Sequence, residues 1–121
     1  MATFTKTILS GSTDGKGILV NQTTSGSAVT IHTGSSTNAH LHEVWLYAQN
    51  YSASNTKLTV LWGSTSAGTD EIELTVAAEA GLVLVVPGLV LNGNSSTAPV
   101  VKAFAASNTA VVVHGYVNTI T

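Results

Sequence analysis

The chain has 121 residues and a formal net charge of −2, with 44% hydrophobic but only 8% charged residues. That length suits a single domain, 1–121, around one core, and the charged fraction is far below the roughly 25% usual for soluble proteins. Arginine and cysteine are absent and the lysines, Lys6, Lys16, Lys57 and Lys102, are scattered. Disulfides and thiolate metal sites are therefore excluded, and nucleic acid is not expected as a partner because phosphates need clustered cations.

The N-terminal "MATFTKTILSGS" has no basic segment followed by a sustained apolar core, so it is not read as a signal peptide and synthesis in a cytoplasm is expected. It predicts a strand near 3–9, with 1–10 serving either as an extended arm or as an edge strand. Further strands are predicted near 17–22, 27–33 and 39–49. Next come 56–63, where Leu58, Val60 and Trp62 alternate with Lys57, Thr59 and Leu61, and 70–77, where Ile72, Leu74 and Val76 alternate with Glu71, Glu73 and Thr75. A period of two over such lengths marks half-buried strands. The apolar run Gly81–Leu91 is too short to span a bilayer. Pro87-Gly88 divides it into strands near 81–86 and 89–92. Strands near 99–105 and 109–120 complete the series.

Between them lie turn-formers such as "SGSTDGKG", "TGSSTN", "NYSASN", "GSTSAGTD" and "NGNSSTAP", in which Gly, Asn, Asp and Ser favour tight turns. "VAAEAG" amounts to about one helical turn, which cannot stand alone. About eight to ten short antiparallel strands with regular turn signals predict an all-β single-domain sandwich or jelly roll.

Within "GSSTNAHLHEVW", His40 and His42 are two apart. On a strand they would share a face, as a metal site on a sheet requires. Gly34, His40 and His42 resemble the opening of the first cupin motif, and Gly81 with Pro87 resembles part of the second. The resemblance implies a jelly-roll metal enzyme. The acid it calls for would fall near Leu46 or Tyr47, whereas the sequence has Glu43, and no histidine follows Pro87 until His114. A mononuclear site needs three or four converging ligands. With His40 and His42 the only matched pair, and His32 or His114 the available thirds, neither a metal nor another cofactor is expected. No serine lies in a G-x-S-x-G elbow, Glu71 and Glu73 sit on a solvent-type face, and "GSTDGKG" lacks P-loop spacing. The chain is therefore not expected to be an enzyme.

"GLVLVV" and "AVVV" are apolar on both faces, more than a small monomer comfortably buries. Trp45, Tyr47, Tyr51, Leu82, Leu84 and Val86 are accordingly the interface candidates. "MATFTKTILSGS", "HEVWLYAQNYSASNTKLTVLWG" and "VVVHGYVNTIT" together resemble the small accessory structural proteins of tailed bacteriophage virions, of the head decoration or cement type. The resemblance spans the chain. It implies a trimer bound to the outside of the major capsid protein lattice, with the protein residing on the capsid surface. Two other readings are a tail- or fibre-associated β-domain that stacks Trp45, Tyr47 or Tyr51 on a host surface glycan, and the cupin-type metal enzyme.

Overall fold

The computed structural model describes residues 2–63 and 70–121. Among these residues nine strands are present: β1 (Phe4–Ile8), β2 (Ile18–Leu19), β3 (Val29–Thr33), β4 (Leu41–Asn50), β5 (Thr56–Trp62), β6 (Glu71–Val76), β7 (Val83–Asn92), β8 (Val100–Ala105) and β9 (Val111–Ile120). The helical content among the described residues is one 3-10 turn, Ser25–Ser27. The chain is an all-β sandwich. The "GSTSAGTD" turn lies largely outside the described residues.

One sheet has the order β1-β9-β4-β7, with β2 also pairing β9, and the other runs β3-β8-β5-β6. All the pairings are antiparallel. The pairs β1·β9, β3·β8, β4·β7 and β5·β6 nest inside one another in sequence. A long double ribbon with β5·β6 at its tip, rolled until β4 meets β9 and β5 meets β8, gives this order. That is the jelly-roll arrangement. The N-terminal segment takes the edge-strand alternative: β1 pairs with the chain's own β9, from Phe4 opposite Ile120 to Ile8 opposite Tyr116.

Alternation builds the core. Val44, Leu46 and Ala48 of β4, Val111, Val113 and Val117 of β9, and Leu58 and Val60 of β5 are all essentially inaccessible to solvent. Burying each such side chain contributes about 1.5–3 kcal/mol relative to exposure. Two expectations fail here. Thr59 and Leu61, on the polar side of β5 by alternation, are also buried. β5 is central in its sheet, so Leu61 lies between Lys102 and Glu71, and Thr59 between Phe104 and Glu73. Long side chains cover what lies between them, and Lys57 closes on Glu73 at 2.9 Å.

The second failure concerns Pro87-Gly88, which does not end a strand. β7 runs straight through it, and the register with β4 slips at Gly88 and again at Val85. Proline is tolerated because β7 is an edge strand, and the extra residues are β-bulges, which bend and twist a strand. Gly88 has φ +78°, and a Cβ there would lie 2.8 Å from the Trp45 indole. The bulge thus makes room for the tryptophan to lie across β7. Gly88→Ala should destabilise the protein by about 1–2 kcal/mol through the positive φ and the collision. In a Trp62→Phe background, the Trp45 fluorescence should shift as the indole is displaced. An unchanged emission and urea midpoint would refute this packing.

Candidate functional site

Among the described residues, no layer lies over the outer face of the β1-β9-β4-β7 sheet. Its side chains fall into rows across the strands. Phe4, Ile120 and Leu41 form one, Lys6, Asn118 and Glu43 the next, and Ile8, Tyr116 and Trp45 a third. The middle of the face is tied together by polar contacts. Trp45 Nε1 donates to Glu43 Oε1 at 2.7 Å, and Asn118 Nδ2 donates to the same oxygen at 2.9 Å. These two bonds, the indole first, hold the Glu43 carboxyl below the usual carboxylate range. Trp45 and Tyr116 are nearly parallel, at 11° with centroids 6.1 Å apart. The Lys6 ammonium sits 4.7 Å from the Tyr116 ring centre, a cation–π distance. Tyr47 lies opposite His114, and Gln49 in the next row reaches His114 diagonally, 3.2 Å apart between Nε2 atoms.

Around this centre the face is apolar. Phe4, Ile8 and Leu19 are 70%, 51% and 41% exposed on one side. On the other, Leu82, Leu84 and Val90 on and beside β7 are 46–60% exposed, while Leu89, opposite the core residue Val44, is exposed at the sheet margin. Large exposed patches rimmed by polar groups mark interaction surfaces. Of the predicted interface residues, Leu82, Leu84 and Tyr51 are exposed, and Trp45 and Tyr47 are half-buried on the outer face. Val86 must be corrected. It pairs with Leu46 and is fully buried in the core, because the register slip at Val85 puts it on the opposite face from Leu84. Phe4, Ile8, Leu19 and Val90 were not anticipated. The Phe4/Lys6/Ile8 alternation in "FTKTI" was the available signal for the first two.

The histidines do something other than share a face. His40 precedes β4, in a turn where its N–H reaches Thr37 O, so strand alternation does not apply to it. His42 has the same parity along β4 as the core residues Val44 and Leu46, and its Nδ1 meets Nε2 of His32 in the other sheet at 2.8 Å. A bulge in β3 between Thr30 and His32 turns both Ile31 and His32 inward. His32 Nδ1 accepts from the Ser10 backbone N–H at 3.0 Å. That nitrogen is therefore unprotonated, so Nε2 carries the hydrogen and donates to His42 Nδ1. Burial, and then His42, lowers the His32 pKa to about 4, and burial followed by His40 lowers that of His42. The pair is a neutral clasp between the sheets at one end of the sandwich.

His114, on the outer face of β9, joins neither His40 nor His42. Among the described residues no three His, Asp or Glu side chains are placed to hold a metal ion. Two surface depressions, about 210 Å³ beside Thr59 and Phe104 and about 250 Å³ beside Asn92 and Pro99, contain no histidine or carboxylate. No protein-family model matches the chain, and comparisons with curated proteins and with solved structures find no match. The geometry of the open sheet face is thus the main guide to function. It offers a broad apolar surface with a small, internally bonded polar centre, which suits another protein better than a small molecule.

Proposed function

We propose that the chain is a non-enzymatic structural protein of a tailed-phage virion, a decoration protein that binds the outside of the major capsid lattice as a homo-oligomer. The observation that carries this reading is the β7 margin, where Leu82, Leu84, Leu89 and Val90 stand exposed along an edge strand. Bulges and Pro87 keep that edge from simple sheet extension, so its use is by side-chain contact. The jelly roll is compatible, since capsid proteins use it, but lectins and cupins do too, and the fold alone decides nothing. Against glycan stacking, the Trp45 ring lies across β7 and a Tyr116 face carries Lys6. Against the cupin reading, the space between the sheets is filled with aliphatic side chains. Many identical weak contacts on a lattice add up through effective concentration.

Purified protein should re-bind heads stripped of it and raise their heat resistance. Leu84→Asp combined with Val90→Asp should abolish re-binding while leaving the circular dichroism spectrum intact. Binding should change little between about 50 and 150 mM salt, because apolar contacts are not screened. Failure to bind mature or expanded cognate heads would refute the capsid role.

A further inference from the structure

We infer that the outer face formed by β1, β9 and β4 is a self-complementary surface whose occupant is a second copy of this chain, related by a two-fold axis running along β9. The inference goes beyond the capsid reading and does not rest on it.

The argument comes from the register. Lys6, Asn118 and Glu43 lie in one row across β1, β9 and β4. The cation is therefore one strand to one side of β9, and the carboxylate one strand to the other. Rotating a copy by 180° about an axis parallel to β9, in the plane of the face, keeps each row in place and exchanges the two sides. Lys6 of each copy then lies over Glu43 of the other. The same rotation sets Phe4 over the row position of Leu41, and Ile8 over that of Trp45, so apolar meets apolar. A two-fold axis along the charged row would instead set Lys6 over Lys6 and Glu43 over Glu43, like charge against like.

Glu43 is prepared for this. Both of its intramolecular donors go to Oε1, and among the described residues no donor is recorded on Oε2. Lys6 is exposed on its strand and rests on the Tyr116 ring. Aligned sheets pack face to face about 10 Å apart, within reach of a lysine and a glutamate stacked across the gap. Exchanging opposite charges in register sets orientation more than affinity. The affinity would come from the exposed Phe4 and Ile8. The overlap covers β1, β9 and β4 and leaves both β7 margins outside it, free for a different partner.

Sedimentation velocity tests this. The wild-type protein should form a species of twice the 12.3-kDa chain mass. Lys6→Glu, which sets carboxylates against each other, should weaken association at least tenfold, and Glu43→Lys should do the same with ammonium groups. Mixing the two variants should restore a heterodimer, because each then presents the charge that the other lacks. Should Glu43→Lys not fold, having lost the partner of Trp45, the exposed Lys6→Glu decides alone. A wild-type monomer at about 100 μM, a trimer, or a Lys6→Glu protein that dimerises as tightly as wild type would overturn the proposal. Head re-binding is read separately, so loss of the dimer and loss of the capsid role are distinguishable.

Discussion

Gly115→Ala should destabilise the protein by about 3 kcal/mol, at the top of the range for overpacking, and lower its melting temperature by roughly 10 °C. A Cβ at this position would run into the backbone carbonyl oxygen of Trp45, with the Trp45 carbonyl carbon and Leu46 Cα also close. None of these atoms belongs to a side chain that can swing away. The obstacle lies in the middle of β4, the strand that joins β9 to β7. On the far side of the same stretch of β4, the register with β7 slips twice. Gly115 and Gly88 therefore flank Trp45, one against its carbonyl and one beneath its ring, and the sheet bends there. Glycine inside a strand marks this kind of close approach. Thermal denaturation followed by circular dichroism measures the effect. A loss below about 1 kcal/mol would mean that β9 does not approach β4 this closely.

The histidine clasp makes stability depend on pH in a definite direction. In the unfolded chain His32 titrates at 6.5, and in the folded protein at about 4, chiefly because burial disfavours its charged form. Above pH 6.5 both states are neutral and the clasp contributes fully. As pH falls from 6.5 towards 4 the unfolded chain takes up a proton that the folded one refuses, and stability falls. The slope limit is about 1.4 kcal/mol per pH unit. Water at this end of the sandwich screens part of the effect, so a total loss of about 2 kcal/mol is expected. Urea titrations at pH 7, 5.5 and 4 would reveal it. His32→Asn keeps an acceptor for the Ser10 N–H but cannot titrate in this range, so its profile should be flatter over the same interval. A wild-type profile as flat as that of the variant would refute the clasp.

The strands were legible in the sequence because they are periodic. β5, β6 and β9 fall within a residue or two of their expected bounds, and the "DEIELTV" alternation puts Val76 in the core and Glu73 in solvent. What alternation cannot convey is which strand is central and which is an edge. Leu61 is buried because β5 has neighbours on both sides. Leu84 is exposed because β7 has only one. Bulges are equally invisible to a period-of-two reading. The one in β3 faces His32 toward His42, and the one at Gly88 converts an apparent strand break into a seat for Trp45. The His32–His42 contact joins residues from different sheets. Spacing along "HLH" pointed to a same-strand pair instead.

The nested pairing of strands also bears on how the protein is made. Among the described residues, β9 supplies the only partner of β1 and one of the two partners of β4. Until residues 111–120 leave the ribosome, Phe4–Ile8 has no strand to pair with, and the centre of one sheet is missing. At about 5–20 residues per second, the early strands wait for several seconds with their apolar side chains unsatisfied. Closure of this sheet must therefore wait for β9, and is slow for the number of residues involved, since long-range pairings carry a loop-closure cost before they reward it. A ribosome stalled with β9 still in the exit tunnel should hold a nascent chain that is open to protease throughout. Emergence of β9 from the tunnel should close it in a single step.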